Sequence, residues 1–429
     1  MQSTRGRFQA GHRDGASPRG PVARVFALAA VSILLSSCGV QDRALDDRLA
    51  APRVETIPNP APDGSAQPGL TVTPEGRLTL SWQVRHPDSS LTLQFASLDV
   101  GATARWSPVR EVPTGPDMLG VASDVPSVAH LSNGVFVAAW RGRQDGGHGY
   151  DILVAHSADS GRTWSPPRTP HRDGTTTEHG FVSWLRVGDT SAMVWVDGRG
   201  NAKPDSARRA TGLAYAAFDD RGEVQAERFV DMKICDCCHT SAAAVAGGGA
   251  VVAYRDRHEG EIRDISVVRW ADGRWREPVP VHADRWEYHG CPVNGPAIAA
   301  QGPRVAVAWF TAARDTARVR LAFSSDTAGS FDAPIEINEG RAEGRVGVVL
   351  MPGGDAAVSW IERQGDWAVL RVRRVAPDGT RSPAVDVAAF GGERRTGGMP
   401  QFALAGGGAV LAWTDAVASR VVTARVELP

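Results

Sequence analysis

The chain has 429 residues, 42% hydrophobic and 22% charged, with a formal net charge of −1. A balance this near neutrality excludes the strongly basic surface that nucleic-acid binding requires. The length suffices for one large domain or two ordinary ones.

Arg5, Arg7, Arg13, Arg19 and Arg24 precede an apolar run from Val25 to Leu35. Such a segment reads as a secretory signal, and it is too short to span a bilayer as a helix. It closes on Leu35-Ser36-Ser37-Cys38-Gly39, which resembles the bacterial lipobox. The resemblance implies a signal peptide over residues 1–37 and a lipid on Cys38. Glycine rather than aspartate at position 39 implies an outer-membrane anchor facing the periplasm. Loss of five arginines and one aspartate with the signal moves the formal charge from −1 to −5. Residues 38–69, with "IPNPAPDGSAQPG", read as a flexible tether, leaving 70–429 as the folded domain.

From there one unit recurs: a short apolar strand ending in an aromatic residue. The aromatics are Trp82, Trp140, Trp195, Tyr254, Trp309, Trp360 and Trp413, spaced 58, 55, 59, 55, 51 and 53 residues apart. Each strand follows another across a Gly or Asn turn and precedes a polar loop, a third strand and usually a fourth. Short antiparallel strands repeating near every fifty residues predict an all-β propeller of four-stranded blades, seven in number with six as the alternative. A β-sandwich is the competing architecture, but its strands lack this regularity. The last unit has three strands, and "RVETI" at 53–57 is expected to supply the fourth and close the ring, removing sheet edges that invite aggregation.

In the second unit stands Ser157-Ala158-Asp159-Ser160-Gly161-Arg162-Thr163-Trp164, with looser copies at Ser324, Asp326 and Phe331 and at Ser97, Asp99, Gly101 and Thr103. The motif resembles the Asp-box of sialidases and related propellers. An aspartate can accept turn amides, glycine can take positive φ, and the aromatic can pack on a neighbouring sheet. The resemblance implies a sialidase-like fold, with the boxes facing away from the active site. Sialidases use three arginines, a tyrosine nucleophile paired with glutamate, and an aspartate acid/base. This chain has no Phe-Arg-Ile-Pro motif, and its tyrosines at 150, 215, 254 and 288 occupy no late blade. Tyr215 and Tyr254 read as core residues, so the catalytic set does not carry over.

If the first strand of each blade is innermost, loops between blades and loops after second strands share one face. That face collects Arg141, Arg143, Asp197, Arg199, Arg255, Asp256, Arg257, Glu362, Arg363 and Asp415, together with Asp124, Glu178, His179 and residues 287–296. A concave face with paired guanidinium groups suits a glycan or other anionic small ligand, with Arg141, Arg143, Arg199, Arg255, Arg257 and Asn294 as its contacts. Asp256, Glu261, Asp197 and Glu178 are the candidate acid/base carboxylates for a glycosidase. The competing reading makes the same charges solvated rim pairs.

The sequence "KICDCCHTS" places Cys235, Cys237 and Cys238 in the loop entering the fourth unit, and Cys291 falls in the loop entering the fifth. Adjacent blades bring these loops together. In an oxidising compartment an even count predicts two disulfides, in any of three pairings. The alternative is zinc or copper(I) on the four thiolates with His239, His289 or His179. A third reading is a redox or nucleophilic cysteine beside His239 and Lys233. With Tyr254-Arg255-Asp256-Arg257 and Cys291-Pro292-Val293-Asn294-Gly295-Pro296, the stretch resembles a group of bacterial exported proteins described as sialidase-like. Two functions follow: a lipid-anchored propeller that binds or hydrolyses a glycan, or a non-catalytic binding or assembly factor using the cysteines for a metal or a protein partner.

Overall fold

The computed structural model describes residues 49–429 apart from 74, 100–104, 132, 145–148, 220, 226, 392–397 and 407. The signal segment, Cys38 and most of the first, loosest Asp-box copy lie outside the described residues. Among them, no helix is long and apolar enough to cross a membrane.

Seven separate antiparallel sheets make up the described chain, each one blade of a propeller. Blade 1 starts at Ser65–Val72, blade 2 at Ser127–His130, blade 3 at His179–Val187 and blade 4 at Ser241–Val245. Blade 5 starts at Ala297–Gln301, blade 6 at Arg341–Leu350 and blade 7 at Gln401–Ala405. The ring closes as expected. Arg53–Ile57 pairs along Arg420–Glu427, so the last blade is completed by the first strand of the chain. The tether expected over 38–69 is corrected by the same strands, since Arg53–Ile57 and Ser65–Val72 are already sheet. Its Pro-rich composition reflects the crossing between two blades.

The second strand of each blade explains the recurring aromatic. Trp140 packs against Leu93 and Phe95 of blade 1, Trp195 against Val137 and Ala139 of blade 2, and Tyr254 against Val194 and Val196 of blade 3. Trp309, Trp360 and Trp413 meet the preceding blade likewise, and Trp82 meets Ala412 of blade 7. Each ring is thus the joint between two sheets. Truncating one to alanine is expected to cost about 3–5 kcal/mol.

First strands line the axis, and a cavity of about 660 Å³ runs between them. A second lock lies there. Thr71 Oγ1 donates to the Val128 carbonyl, Trp184 Nε1 to Ser127 Oγ, Ser183 Oγ to the Thr240 carbonyl, and the Ile298 amide to Ser241 Oγ. Each pair is 57 residues apart, so one blade is stapled to the next at the period of the repeat.

Asp-box turns close the opposite, lower face. Asp159 accepts the amides of Arg162 and Thr163 and the hydroxyls of Ser157 and Thr163 at 2.7–2.9 Å. Trp164 stacks edge-on against Phe95 at 5.9 Å. In blade 5, Asp326 accepts the amides of Gly329 and Ser330 and both serine hydroxyls, while Phe331 packs on the core between blades 4 and 5.

Candidate functional site

The upper face carries the loops that enter each blade and those that follow second strands. Its charged residues do converge, but mostly on one another or on the aromatic joints. Trp195 Nε1 donates to Asp197, Trp309 Nε1 to Asp284 and Trp360 Nε1 to Glu362, at 2.7–2.9 Å. Tyr254 donates to Asp231 at 2.6 Å. A buried indole N–H needs an acceptor, and at these joints a carboxylate supplies it. Asp197 and Glu362, each two residues past its aromatic, therefore serve the blade joints.

This corrects the arginine assignment. Arg255 is 1% exposed and directs its guanidinium at the carbonyls of Asn294, Arg263 and Phe310, with Trp286 beneath it. Four of its five N–H groups are given to these carbonyls. Arg141 is buried against Asp124 at 2.5 Å and lies over Tyr150 at 3.6 Å. Arg199 is shared between Asp197 and Glu227, and Arg257 is held by Glu261. Asn294 donates to the Glu343 carbonyl and accepts from the Arg345 amide, tying the loops into blades 5 and 6. Of the six proposed contacts, Arg143 keeps an exposed side chain.

The four carboxylate candidates fall in two neighbourhoods, Asp256 and Glu261 about Arg257, and Asp197 and Glu178 beside His179. Asp256 is buried under Ser266 Oγ at 2.7 Å, and burial raises its carboxyl above the usual range. Glu261 is held low by Arg257 and Arg263. Asp197 is locked to Trp195 and Arg199, and exposed Glu178 accepts from Tyr150 at 2.9 Å.

The cysteines meet as the blade geometry requires, but not as staples. All four are free, with Cys235 and Cys238 buried, Cys237 half-buried and Cys291 exposed. The Cys235 sulfur lies 3.9 Å from that of Cys237 and 3.5 Å from that of Cys238. A disulfide requires about 2.05 Å, so the two expected bridges are absent. Cys237 and Cys291, from neighbouring loops, also fall within 4.8 Å. Three thiols crowding one point leave no clean pairing. His239 stands apart from the sulfurs, lining the axial cavity, and His289 pairs with Glu287 at 3.0 Å.

Arg263 was not singled out by sequence, since nothing marks it among 45 arginines and two lysines. Its Nη1 donates to Cys235 Sγ at 3.2 Å. Contacts with the Cys237 and Cys238 sulfurs hold Cys235 well below the ordinary thiol range, with Arg255 adding to the effect. Arg345 approaches Cys238 from blade 6, where its positive φ of 55° belongs to a bulge in the inner strand. Bulges re-aim side chains near strand ends, and this one turns the Arg345 guanidinium onto the Val293 carbonyl and the Met399 sulfur.

A second polar centre, between blades 2 and 3, was seen only in part. His179 opens the inner strand of blade 3, and Gly180 beside it has no room for a Cβ, which would stand 2.4 Å from Asp124 Oδ2. His171 stacks on His179 with centroids 3.7 Å apart. Asp151, Asp173 and Asp197 surround the pair. Burial alone would lower His179, but Asp151 and Asp197 overturn it and raise the imidazole to about 9. His171, Asp151 and Asp173 carry no motif, and no sequence signal would have found them.

No known protein family's sequence profile matches the chain, and no curated protein matches it in sequence. Solved structures do. The BP39L lectin of Burkholderia pseudomallei is 14% identical with a TM-score of 0.55, the match covering 86% of this chain and 97% of the lectin. An α-L-arabinofuranosidase of Fusarium graminearum is 13% identical with a TM-score of 0.46, covering 88% and 97%. The Trypanosoma rangeli sialidase is 11% identical with a TM-score of 0.42, covering 86% of this chain and 59% of that one. At such identity the likeness to the lectin shows the fold alone: a β-propeller, with seven blades by this chain's own sheets.

Proposed function

We propose that the protein is an exported, lipid-anchored binding protein that holds one soft, closed-shell metal ion, copper(I) or zinc, on Cys235, Cys237, Cys238 and Cys291. The reading rests on the sulfur separations of 3.5 and 3.9 Å. Metal–sulfur bonds of about 2.3 Å put ligand sulfurs roughly 3.7–4.0 Å apart around a tetrahedral or trigonal ion, close to these spacings and far from a disulfide. Several thiolates on one ion leave net negative charge. Arg263 at 3.2 Å and buried Arg255 offset it. Soft thiolate ligands select copper(I) and zinc over hard ions.

The test is metal and thiol analysis of the full chain purified without oxygen. The expected result is one equivalent of copper(I) or zinc, reduced at least tenfold in affinity by Cys235→Ser and by Cys291→Ser. Zero free thiols in metal-free protein would restore the disulfide reading. Four thiols binding neither ion would also end the proposal. Localisation is checked by labelling with radioactive palmitate, which Cys38→Ala should abolish.

A glycan ligand is the second reading, favoured by one exposed aromatic. Trp367 is 54% exposed and borders a cleft of about 340 Å³ with Gln364 and Asp386. An exposed indole beside polar groups suits the face of a sugar ring, as does the likeness to a lectin. Glycan-array binding lost in Trp367→Ala supports it; an array without Trp367-dependent signals removes it. Release of sialic acid from a fluorogenic sialoside is not expected, because Arg141, Arg199 and Arg255 are committed within the protein.

A further inference from the structure

We propose that Asp236, Cys237 and Cys291 form the port by which zinc enters and leaves the thiol centre, with the Asp236 carboxylate as a passing ligand. The port rests on the thiol site proposed above and adds to it a route, an ion and a kind of donor. The ligand atoms fall into two groups of three. Those of Cys235, Cys237 and Cys238 lie within 4.8 Å of one another, as do those of Asp236, Cys237 and Cys291. Cys237 belongs to both. The groups differ in depth. Cys235 and Cys238 are 1% and 2% exposed, whereas Cys291 is exposed and the Asp236 side chain is 45% exposed. Cys237, half-buried, is intermediate. An ion arriving from solvent therefore meets the outer group first.

A shared ligand is what stepwise transfer requires. Stripping an ion of every ligand at once is costly, because a bare charge loses its solvation. Replacing one ligand at a time keeps it coordinated throughout. Cys291 and Asp236 take the ion from its carrier, Cys237 holds it, and Cys235 and Cys238 displace the carboxylate, leaving the ion on the four sulfurs. No electrons move, and each protonated thiol that binds releases its proton to solvent. Asp236 is suited to a passing role. Its ion pair with Arg263 spans 3.9 Å, and a pair so long and exposed is weak. Arg263 keeps its place without it, since Glu261 holds the guanidinium at 2.6 Å and Cys235 accepts from it at 3.2 Å. The carboxylate can turn to a cation without disturbing the thiolates' counterion. It also sets the ion. Zinc accepts carboxylate oxygen together with thiolate, whereas copper(I) favours soft ligands and gains nothing from Asp236.

The experiment mixes metal-free, reduced full chain with the zinc complex of pyridylazoresorcinol and follows the loss of its colour. Equilibrium competition with the same chelator gives the affinity. Without its passing ligand, Asp236→Asn should take up zinc roughly tenfold more slowly, with affinity unchanged. Asp236→Glu, which keeps the carboxylate, should restore the wild-type rate. The deficit should persist in about 0.5 M sodium chloride, which screens simple attraction of a cation to a negative surface. Copper(I) uptake from its bathocuproine disulfonate complex should be the same in wild type and Asp236→Asn. Equal zinc rates, a deficit that vanishes in salt, or an equal slowing of copper(I) would overturn the inference. So would a loss of zinc affinity in Asp236→Asn, which would make the carboxylate a resident ligand. A wild-type chain that binds copper(I) alone ends this inference and leaves the thiol centre standing; one that binds neither ion ends both.

Discussion

The two faces of the ring hold their polar groups differently. On the lower face, Asp159 and Asp326 each accept four hydrogen bonds from their own turns, and every partner lies within eight residues. On the upper face, three thiols crowd together at 3.5–3.9 Å and His179 is buried 3.4–3.6 Å from three carboxylates with neither nitrogen hydrogen-bonded. A polar group whose partners are complete has spent its bonding capacity on the fold. One that is buried and incomplete costs about 1–3 kcal/mol unless something binds it, and the thiol cluster on the upper face is where several such groups meet.

Arg255 sharpens the comparison most, because it stands on the upper face yet gives four of its five N–H groups to backbone carbonyls. If such commitment marks a structural role, Arg255→Ala should strip three backbone carbonyls of their donor and destabilise the fold by on the order of 3–5 kcal/mol. Urea unfolding measures this; a near-neutral result would return Arg255 to the ligand-contact list. A smaller effect is expected below. Gly161 has φ of +79°, and a Cβ there would stand 2.5 Å from the Phe95 ring. Gly161→Ala should cost about 1–2 kcal/mol from backbone strain, with metal binding unchanged. A loss of metal binding in this variant would break the separation between the faces.

The smallest effect is a pH dependence. Slight burial pushes the Asp326 carboxyl up, but hydrogen bonds from Ser324, Ser330 and the Gly329 amide prevail and hold it at about 2, below its ordinary 3.8. A depressed folded-state value means the stabilisation is complete above the unfolded value and is lost as pH falls toward 2. The difference in Tm between wild type and Asp326→Asn should be constant from pH 7 to 5 and close between pH 4 and 2. Exposure to solvent keeps it small. A gap that widened on acidification would contradict the assignment.

Much of the architecture could be read from residues alone because its signals are local or periodic. The aromatic at the end of each second strand is a local pattern, and its spacing gave seven blades and the closing strand at 53–57. The meeting of Cys237 with Cys291 followed from the same ring. What misled was the charge just after each aromatic. Arg255 and Asp197 have the composition of a ligand site, and only their partners reveal a joint between blades. The tether boundary failed for a related reason, since Pro and Gly between 58 and 69 mark a crossing between sheets as readily as a flexible arm.

By itself the sequence determined the repeat, because alternating strands and buried aromatics are specified within each unit of about fifty residues. Tertiary structure decided which polar groups are spent and which are free. Asp151, His171, His179 and Asp173 come from two blades and the loop between them, and the thiols come from two loops. Whether such groups pair, cluster or stay unsatisfied depends on distances of a few ångströms set by how one blade docks on the next, which no local pattern encodes.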